Sequence, residues 1–311
     1  MKPITKKISS ITLLLFLMAW LVYYIKNNFH DFKQLSLVNP EYILYFIIIN
    51  LILSLTNGLV IKYLLEPFKV RLAFKEWFGL SVITTFYNMI LPFRGGAIVR
   101  ASYLKKKHGF SYTHFFSTLF GIYIINVMIA SLMGIISVIL IFIKFNIFSP
   151  LMLMIFLIFF VPTFLIIIFS PNIPKKRNNL INNLIKVING WHLIRKNNRL
   201  VAMISIIMIV QLFFGLLNTV LIYGVFDVHI GFIKSMFLVS ISYLGNFISI
   251  MPGALGVSEA AQVFSALIID ITPAQSIMAV ALGRVISILT LFFLGPIFSY
   301  ILLKRLSVIK G

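Results

Sequence analysis

The 311-residue chain has no cysteine and little charge. The lack of cysteine excludes disulfide bonds and thiolate metal sites. Its five histidines are scattered near predicted loops and helix ends, so we expect neither a metal site nor a cofactor. Charged residues make up 11% of the chain, whereas a soluble domain carries about a quarter. The shortage of charge therefore argues against a soluble protein.

Apolar residues take the place of the missing charge, at 60% of the chain with a mean hydropathy of +1.05. The sequence therefore predicts an all-α polytopic membrane protein, with a single transmembrane domain over residues 1–311. Lys and Arg outnumber Asp and Glu by 27 to 7, which gives a net charge of +20. Because the basic residues cluster at the ends of apolar runs, they indicate cytoplasmic loops facing anionic lipid rather than a nucleic-acid-binding surface.

Two short segments, Asn88–Gly96 and Asn246–Gly256, interrupt the apolar sequence. In each, a proline (Pro92, Pro252) is followed four residues later by a glycine, and both residue types weaken a helix. Asn88 and Asn246 stand at the start of the breaks, where capping of freed backbone groups is favoured over substrate contact. Such breaks persist at membrane depth only inside protein or beside a wet cavity. A pair in corresponding places indicates the binding site of a transporter.

The apolar runs and basic clusters together predict the topology. Runs at 9–25, 41–65, 115–143, 150–170, 200–223 and 275–303 give about six full spans, the first of them an uncleaved signal-like segment. The runs flanking the breaks are interpreted as re-entrant helical hairpins, at 77–104 and 232–270. A single crossing at 77–104 would put Lys105–Lys107 outside, whereas a hairpin keeps this cluster inside. We therefore expect a protein of the plasma (inner) membrane with both termini in the cytoplasm.

The order of these elements predicts an inverted repeat, because each half reads span, span, hairpin, span. The first half covers 1–149, and the second begins with the span 150–170 and continues over 200–311. Between them, residues 171–199 carry apolar side chains at helical spacing, which predicts an amphipathic linker helix on the cytoplasmic interface. The alternatives are a chance likeness between two Pro/Gly kinks and a plain connector.

The first break carries Arg94, with Arg100 a short distance beyond it. Arg94 precedes Gly95 and Gly96 at the predicted start of a helix, where free N–H groups and the helix dipole favour an anion. The glycines allow close backbone approach, and an arginine fork matches a phosphate. We therefore expect Arg94, Gly95, Gly96 and Arg100 to bind an anionic lipid headgroup. The alternative is that Arg94 snorkels to the cytoplasmic interface.

Glu259 follows the second break and is the only acidic residue away from predicted loops and interfaces. Ionisable residues inside a membrane are costly and usually functional. Its expected partner is Arg284, because the two runs that carry these residues are consecutive. The pair either fixes the second hairpin or opens to accept a cationic or phosphate group. We expect it to belong to the substrate site, together with Gly253 and Gly256.

Two motifs carry a family resemblance. The first reads Asn88…Pro92-Phe-Arg-Gly-Gly96…Arg100-Ala-Ser-Tyr-Leu104, followed by Gly109 and Ser111, and the second reads Pro252-Gly-Ala-Leu-Gly-Val-Ser-Glu259, followed by Arg284. In this order they resemble the signatures of the lysylphosphatidylglycerol synthetase transmembrane-domain family of flippase-like proteins. The resemblance covers nearly the whole chain.

The resemblance implies a flippase-like transporter for an anionic phospholipid or a lipid-linked glycan precursor. The partners it implies are membrane lipids, a second copy of the chain, and cell-envelope glycan or lipid-modifying enzymes. Family members often carry a charged pair after the first hairpin, whereas Phe116–Asn126 has no charge here. A chain of 311 residues leaves no room for the soluble aminoacyl-transferase domain of two-domain members, so we expect translocation rather than synthesis.

Two alternative functions are compatible with the sequence. Polyprenyl-diphosphate phosphatases also use two inverted hairpins, but they need a Pro-Gly-x-Ser-Arg-Ser stretch and clustered acidic residues. Here Ala-Leu-Gly follows Pro252-Gly253, so an integral-membrane enzyme acting on a polyprenyl-phosphate lipid is the second hypothesis, with no catalytic residue assigned. An ion-coupled small-solute transporter is the third, and a second buried carboxylate would favour it.

Overall fold

The computed structural model describes residues 37–91, 94–169, 194–248 and 257–308, together with Lys26, Pro174, Asn182, Ile185, Asn189 and Trp191. Within these residues the chain is helical and contains no strand, which confirms the predicted all-α class. The predicted first span at 9–25, the residue Pro92 and most of the linker lie outside the described residues. So does the second break from 249 to 256, which includes Pro252, Gly253 and Gly256.

Nine α-helices are described in these ranges: α1 (Glu41–Leu65), α2 (Phe74–Ile90), α3 (Gly95–His108), α4 (Tyr112–Phe145), α5 (Pro150–Phe169), α6 (Asn198–Gly224), α7 (Phe232–Ile248), α8 (Val257–Ile268) and α9 (Pro273–Val308). Five of them, α1, α4, α5, α6 and α9, are long and apolar enough to cross a membrane. The protein is therefore a multi-pass membrane protein, and these five helices correspond to five of the six predicted spans.

Local sequence explains where several helices begin and end. The hydroxyl of Ser111 accepts the N–H of His114 at 3.2 Å to start α4, and the side-chain oxygen of Asn197 accepts the N–H of Leu200 at 3.0 Å to start α6. Helix α3 ends at His108, and Gly109 caps it with a left-handed φ of 64°, so that its N–H reaches the carbonyls of Leu104 and Lys105.

Helices α2 and α3 form an antiparallel pair, as do α7 and α8. In the first pair, Nζ of Lys107 at the end of α3 lies 2.6 Å from Oε1 of Glu76 in the first turn of α2. In the second pair, Lys234 near the start of α7 donates to the carbonyl of Ile269, just after α8, at 2.6 Å. Each pair therefore returns to the end of the bundle at which it begins, and we call α2–α3 the first hairpin and α7–α8 the second hairpin.

The long helices cross-connect the two hairpins. Helix α9, which follows the second hairpin, packs on α2, and helix α4, which follows the first hairpin, packs on α7. Helices α1 and α6, which precede the hairpins, pack on each other. Because each hairpin rests on a helix from the other half of the chain, the two halves form one helical bundle.

The two hairpins open at opposite ends of this bundle. The base of the first packs in a cluster with Phe115, early in α4, and with Leu302, late in α9. At the base of the second, Nζ of Lys234 lies 5.1 Å from the ring centre of Phe145, the last residue of α4. The stretch of α4 from Phe115 to Phe145 therefore separates the two bases by about 45 Å.

The described part of the linker packs against the bundle. Ile185 and Trp191 are buried, at 4% and 1% exposure. The Trp191 ring lies against Gly121 of α4, where an added Cβ would be 2.8 Å from it. These two apolar residues of the predicted amphipathic segment thus pack on protein rather than facing the bilayer.

Candidate functional site: a polar cavity between the hairpin tips

A cavity of about 430 Å³ lies where the tips of the two hairpins approach each other. A second cavity of about 290 Å³ shares Asn50, Leu53, Asn246, Arg284 and Ser287 with it, so the two are contiguous. We call them the first and second chambers of one central cavity. The polar residues that line only the first chamber are Ser54, Asn57, Thr85, Asn88, Arg94 and Thr290.

Arg94 spans the gap between the hairpins. It stands just before α3 with a left-handed φ of 55°. Its guanidinium donates to the carbonyl of Asn246 in α7 and to the hydroxyl of Tyr123 in α4, and lies 4.9 Å from the centre of the Tyr123 ring. The side chain is thus held at the meeting point of three elements, where it lines the first chamber.

Close packing at the start of α3 explains this position. An added Cβ at Gly96 would lie 1.9 Å from the carbonyl oxygen of Thr84, so only glycine lets α3 approach α2 this closely. The side-chain oxygen of Asn88 accepts the N–H of Gly96 at 2.9 Å and caps the helix. Gly95 packs in the same way on Leu91. In the structure both glycines shape the hairpin tip, and neither is among the residues that line the two chambers.

Arg100 lies apart from the central cavity. It is 8% exposed, and its guanidinium carbon lies 5.2 Å from the centre of the Phe115 ring. Its surroundings are mostly apolar side chains of α1, α3 and α4, with Thr118 the one polar residue among those that line this pocket. Arg100 is therefore not among the residues that line the two chambers, although it interacts electrostatically with Tyr123, the hydrogen-bond partner of Arg94.

Glu259 and Arg284 do come together. Nη2 of Arg284 lies 3.3 Å from Oε1 of Glu259, and the hydroxyl of Ser258 donates to the other carboxylate oxygen at 3.0 Å. Each charged side chain is 24% exposed, so the pair is only partly withdrawn from the cavity. With Arg94 included, the described cavity lining carries two positive charges and one negative charge, a balance that favours an anion.

The sequence motifs did not identify most of the neutral polar residues that line the central cavity. Asn50 and Asn57 lie in α1, Asn218 in α6 and Gln262 in α8, and each of them lines at least one of the two chambers. The sequence did contain a sign of these residues, because an amide side chain inside a long apolar run is costly to bury unless it has a hydrogen-bond partner. Asn57 has one, since its side-chain oxygen accepts Nε2 of Gln211 at 3.1 Å. Tyr123, the partner of Arg94, carried no such signal.

A second polar cluster closes the base of the first hairpin. The Glu76 carboxylate lies near Nζ of Lys107, accepts the hydroxyl of Tyr103 at 2.8 Å and lies 3.1 Å from Nε2 of His108. Burial raises the pKa of Glu76, but the hydrogen bonds from Lys107, Tyr103, the Ala73 N–H and His108 together outweigh it and lower this pKa to about 2. Glu76 thus joins both legs of the hairpin as a carboxylate.

Comparison with known families gives one match. The sequence model of the lysylphosphatidylglycerol synthase TM region matches residues 8–295. The chain belongs to this family. The match includes both breaks and every lining residue of the central cavity, and it confirms the resemblance seen in the two motifs. No curated protein and no solved structure matches the chain. As a member of this family, the protein has a function related to membrane lipids.

Proposed function

We propose that the protein is a flippase-like transporter that moves the headgroup of an anionic lipid through the central cavity. The observation that carries this proposal is the meeting of Arg94 and Arg284, one from each half of the chain, on the first chamber. Two guanidinium groups against one carboxylate suit a phosphate. The acyl or polyprenyl tails would stay in lipid while the headgroup passes among the polar side chains.

The packing supports an inverted repeat of residues 1–149 and 150–311, joined through the linker 171–199. Exchanging α1 with α6, α2 with α7, α3 with α8 and α4 with α9 turns the α9–α2 contact into the α4–α7 contact. The same exchange turns the α1–α2 contact into the α6–α7 contact. In this proposal the hairpins are re-entrant, and because they open at opposite ends, one faces each side of the membrane.

In this mechanism the substrate phosphate competes with protein acceptors for the two arginines. Arg94 now donates to the Asn246 carbonyl in the second hairpin, and Arg284 contacts Glu259. A phosphate that takes over the Arg94 hydrogen bond would remove a link between the hairpin tips. Binding would thereby weaken the contact that holds the tips together, and differential contacts of this kind can shift a two-state equilibrium.

The test is translocation in vesicles that contain the purified protein and either a labelled anionic phospholipid or a labelled polyprenyl-phosphate sugar. We expect wild-type protein to speed exchange between leaflets and Arg94→Gln to slow that exchange by about tenfold or more, because a charge-assisted contact to phosphate is lost. Arg199→Gln is the matched control, since Arg199 is exposed at the start of α6 and lies outside both chambers. Equal exchange rates for wild-type protein and Arg94→Gln would overturn the proposed role of the cavity.

The proposed topology has a separate test, which the absence of cysteine makes simple. Lys106 in the last turn of α3 and Lys144 in the last turn of α4 are both exposed. We expect Lys106→Cys to react with an impermeant thiol reagent only from the cytoplasm and Lys144→Cys only from outside. Labelling of Lys106→Cys from outside would show that α2 and α3 cross the membrane once.

A further inference from the structure

We infer that the second chamber binds a neutral, polyhydroxylated group attached to the lipid phosphate, such as glycerol or a single sugar. This inference rests on the proposed function, because it assigns the part of the headgroup beyond the phosphate. The first chamber holds Arg94, whereas the second extends away from it along α6, α7 and α8.

The second chamber is lined by groups that suit hydroxyls. Asn218 and Thr219 come from α6, Ser242 and Tyr243 from α7, and Gln262 from α8. The hydroxyls of Thr219 and Ser242 donate to the carbonyls of Gly215 and Leu238, so their oxygens are left to accept a hydrogen bond from a ligand. The side chains of Asn218, Tyr243 and Gln262 carry both donor and acceptor groups, as a substrate hydroxyl does. Convergence of such groups from three helices is a typical way to fix the orientation of a polar ligand.

Asn218 supplies an independent observation. Its side-chain oxygen is buried and has no hydrogen-bond partner within the described part of the chain. A buried acceptor of this kind is costly without a hydrogen-bond donor. Because Asn218 lines the chamber, a rotation of its amide would present this oxygen to a hydroxyl of the headgroup.

The charges of the chamber disfavour an amine. Among the described residues that line it, the one acidic residue is Glu259, whose two carboxylate oxygens are engaged by Arg284 and Ser258. An ammonium group would have to compete with Arg284 for that carboxylate. The volume of about 290 Å³ is near the lower limit of ligand sites, about 300 Å³, which suits a compact polyol rather than an oligosaccharide.

The test compares lipids bound to the purified full chain in phosphatidylcholine nanodiscs, detected by native mass spectrometry. The probes are phosphatidic acid, phosphatidylglycerol, phosphatidylethanolamine and a polyprenyl-phosphate glucose. We expect one or both of the hydroxyl-bearing lipids, phosphatidylglycerol and the polyprenyl-phosphate glucose, to bind about tenfold more tightly than phosphatidic acid and phosphatidylethanolamine. Which of the two binds identifies the source of the polyol.

Variants of Gln262 sharpen the test. Gln262→Leu should abolish the preference for the polyol while leaving phosphatidic acid binding unchanged, because the phosphate contacts lie in the first chamber. Gln262→Glu places a further carboxylate in the chamber and should shift the preference toward phosphatidylethanolamine. Asn198→Leu is the matched control, since Asn198 is exposed at the start of α6 and lines neither chamber.

The outcomes separate this inference from the proposed function. If wild-type protein binds phosphatidic acid as tightly as both polyol lipids, or binds phosphatidylethanolamine equally well, the inference is wrong and the proposed transport of anionic lipid still stands. If Gln262→Leu keeps the wild-type preference for the polyol lipids, the second chamber does not discriminate between headgroups. If none of the anionic lipids binds to wild-type protein, the proposed function itself fails.

Discussion

The two hairpins differ in how closely their legs pack. In the first, a methyl group added at Gly96 would lie 1.9 Å from the Thr84 carbonyl oxygen, which leaves no room for any side chain. In the second, a methyl group added at Gly245 would meet its nearest neighbour, Cα of Ser258, at 3.6 Å, which is an ordinary contact. The first hairpin is therefore a closed unit, and the second has space between its legs.

The base of the first hairpin is also held by more contacts than the base of the second. Glu76 ties the legs of the first through Tyr103, Lys107 and His108, whereas Lys234 ties the second through one backbone carbonyl. The second hairpin in turn supplies more of the polar lining, including Asn246, Glu259 and Gln262. The difference indicates that the first hairpin is a rigid support for Arg94 and that the second shapes the cavity.

The largest expected effect is on stability, and it comes from comparing one added methyl group in each hairpin. Gly96→Ala should lower the free energy of unfolding by at least about 3 kcal/mol, because the clash is with backbone and cannot be relieved by a rotamer change. Gly245→Ala should be neutral or stabilise by up to about 1 kcal/mol, since alanine is the better helix former. Denaturation in detergent, followed by circular dichroism, measures both. Similar values for the two variants would remove the contrast between tight and loose packing.

The next effect concerns the ion pair of the second hairpin. Glu259→Gln and Arg284→Gln should each cost roughly 1–3 kcal/mol, a reduced range for a pair whose side chains are a quarter exposed. The double variant should cost less than the sum, because it leaves no orphan charge. Recovery of stability with transport still low would place the pair in the site, and recovery of both would make it structural. Strict additivity in stability and transport would show that the two residues do not interact.

The smallest effect is expected at the base of the first hairpin. Glu76→Gln should cost about 1–2 kcal/mol, because hydrogen bonds to a charged acceptor become hydrogen bonds to a neutral one. Since the pKa of Glu76 is lowered from 4.5 to about 2 in the folded protein, its contribution is complete above pH 4.5 and is lost as the pH falls toward 2. The melting temperature of wild-type protein should therefore drop across this window more steeply than that of the variant. Glu41→Gln, an exposed change at the start of α1, should keep the wild-type slope.

Much of the fold was readable from the sequence. Apolar runs longer than a bilayer span predicted five helices that the structure contains, because the bilayer leaves few alternatives to helix. Lys105–Lys107 predicted that α2 and α3 return to one end, and the contact of Lys107 with Glu76 agrees with an antiparallel pair. The Pro/Gly motifs predicted the family, and the match over residues 8–295 confirmed it.

The candidate site was readable only in part. Glu259 and Arg284 were paired from their charge and sequence order, because a carboxylate at depth needs a cation nearby. Arg100 was grouped with Arg94 because of their sequence positions at the first break, and its role in binding lipid stays a prediction; the turn of α3 places its guanidinium beside Phe115, outside the lining of both chambers. Spacing along the chain did not reveal which face of α3 would meet the cavity.

The sequence by itself determined which segments are helices, which ends carry the positive charge and which family the protein belongs to, since these follow from composition and local order. Only the tertiary structure decided that Arg94 reaches Asn246 in the other half and Tyr123 in α4, and that amides from α1, α6 and α8 line one cavity. The physical reason is that these residues lie 29 to 152 positions from Arg94 or on separate helices. Their meeting depends on how whole helices pack, which no local pattern records.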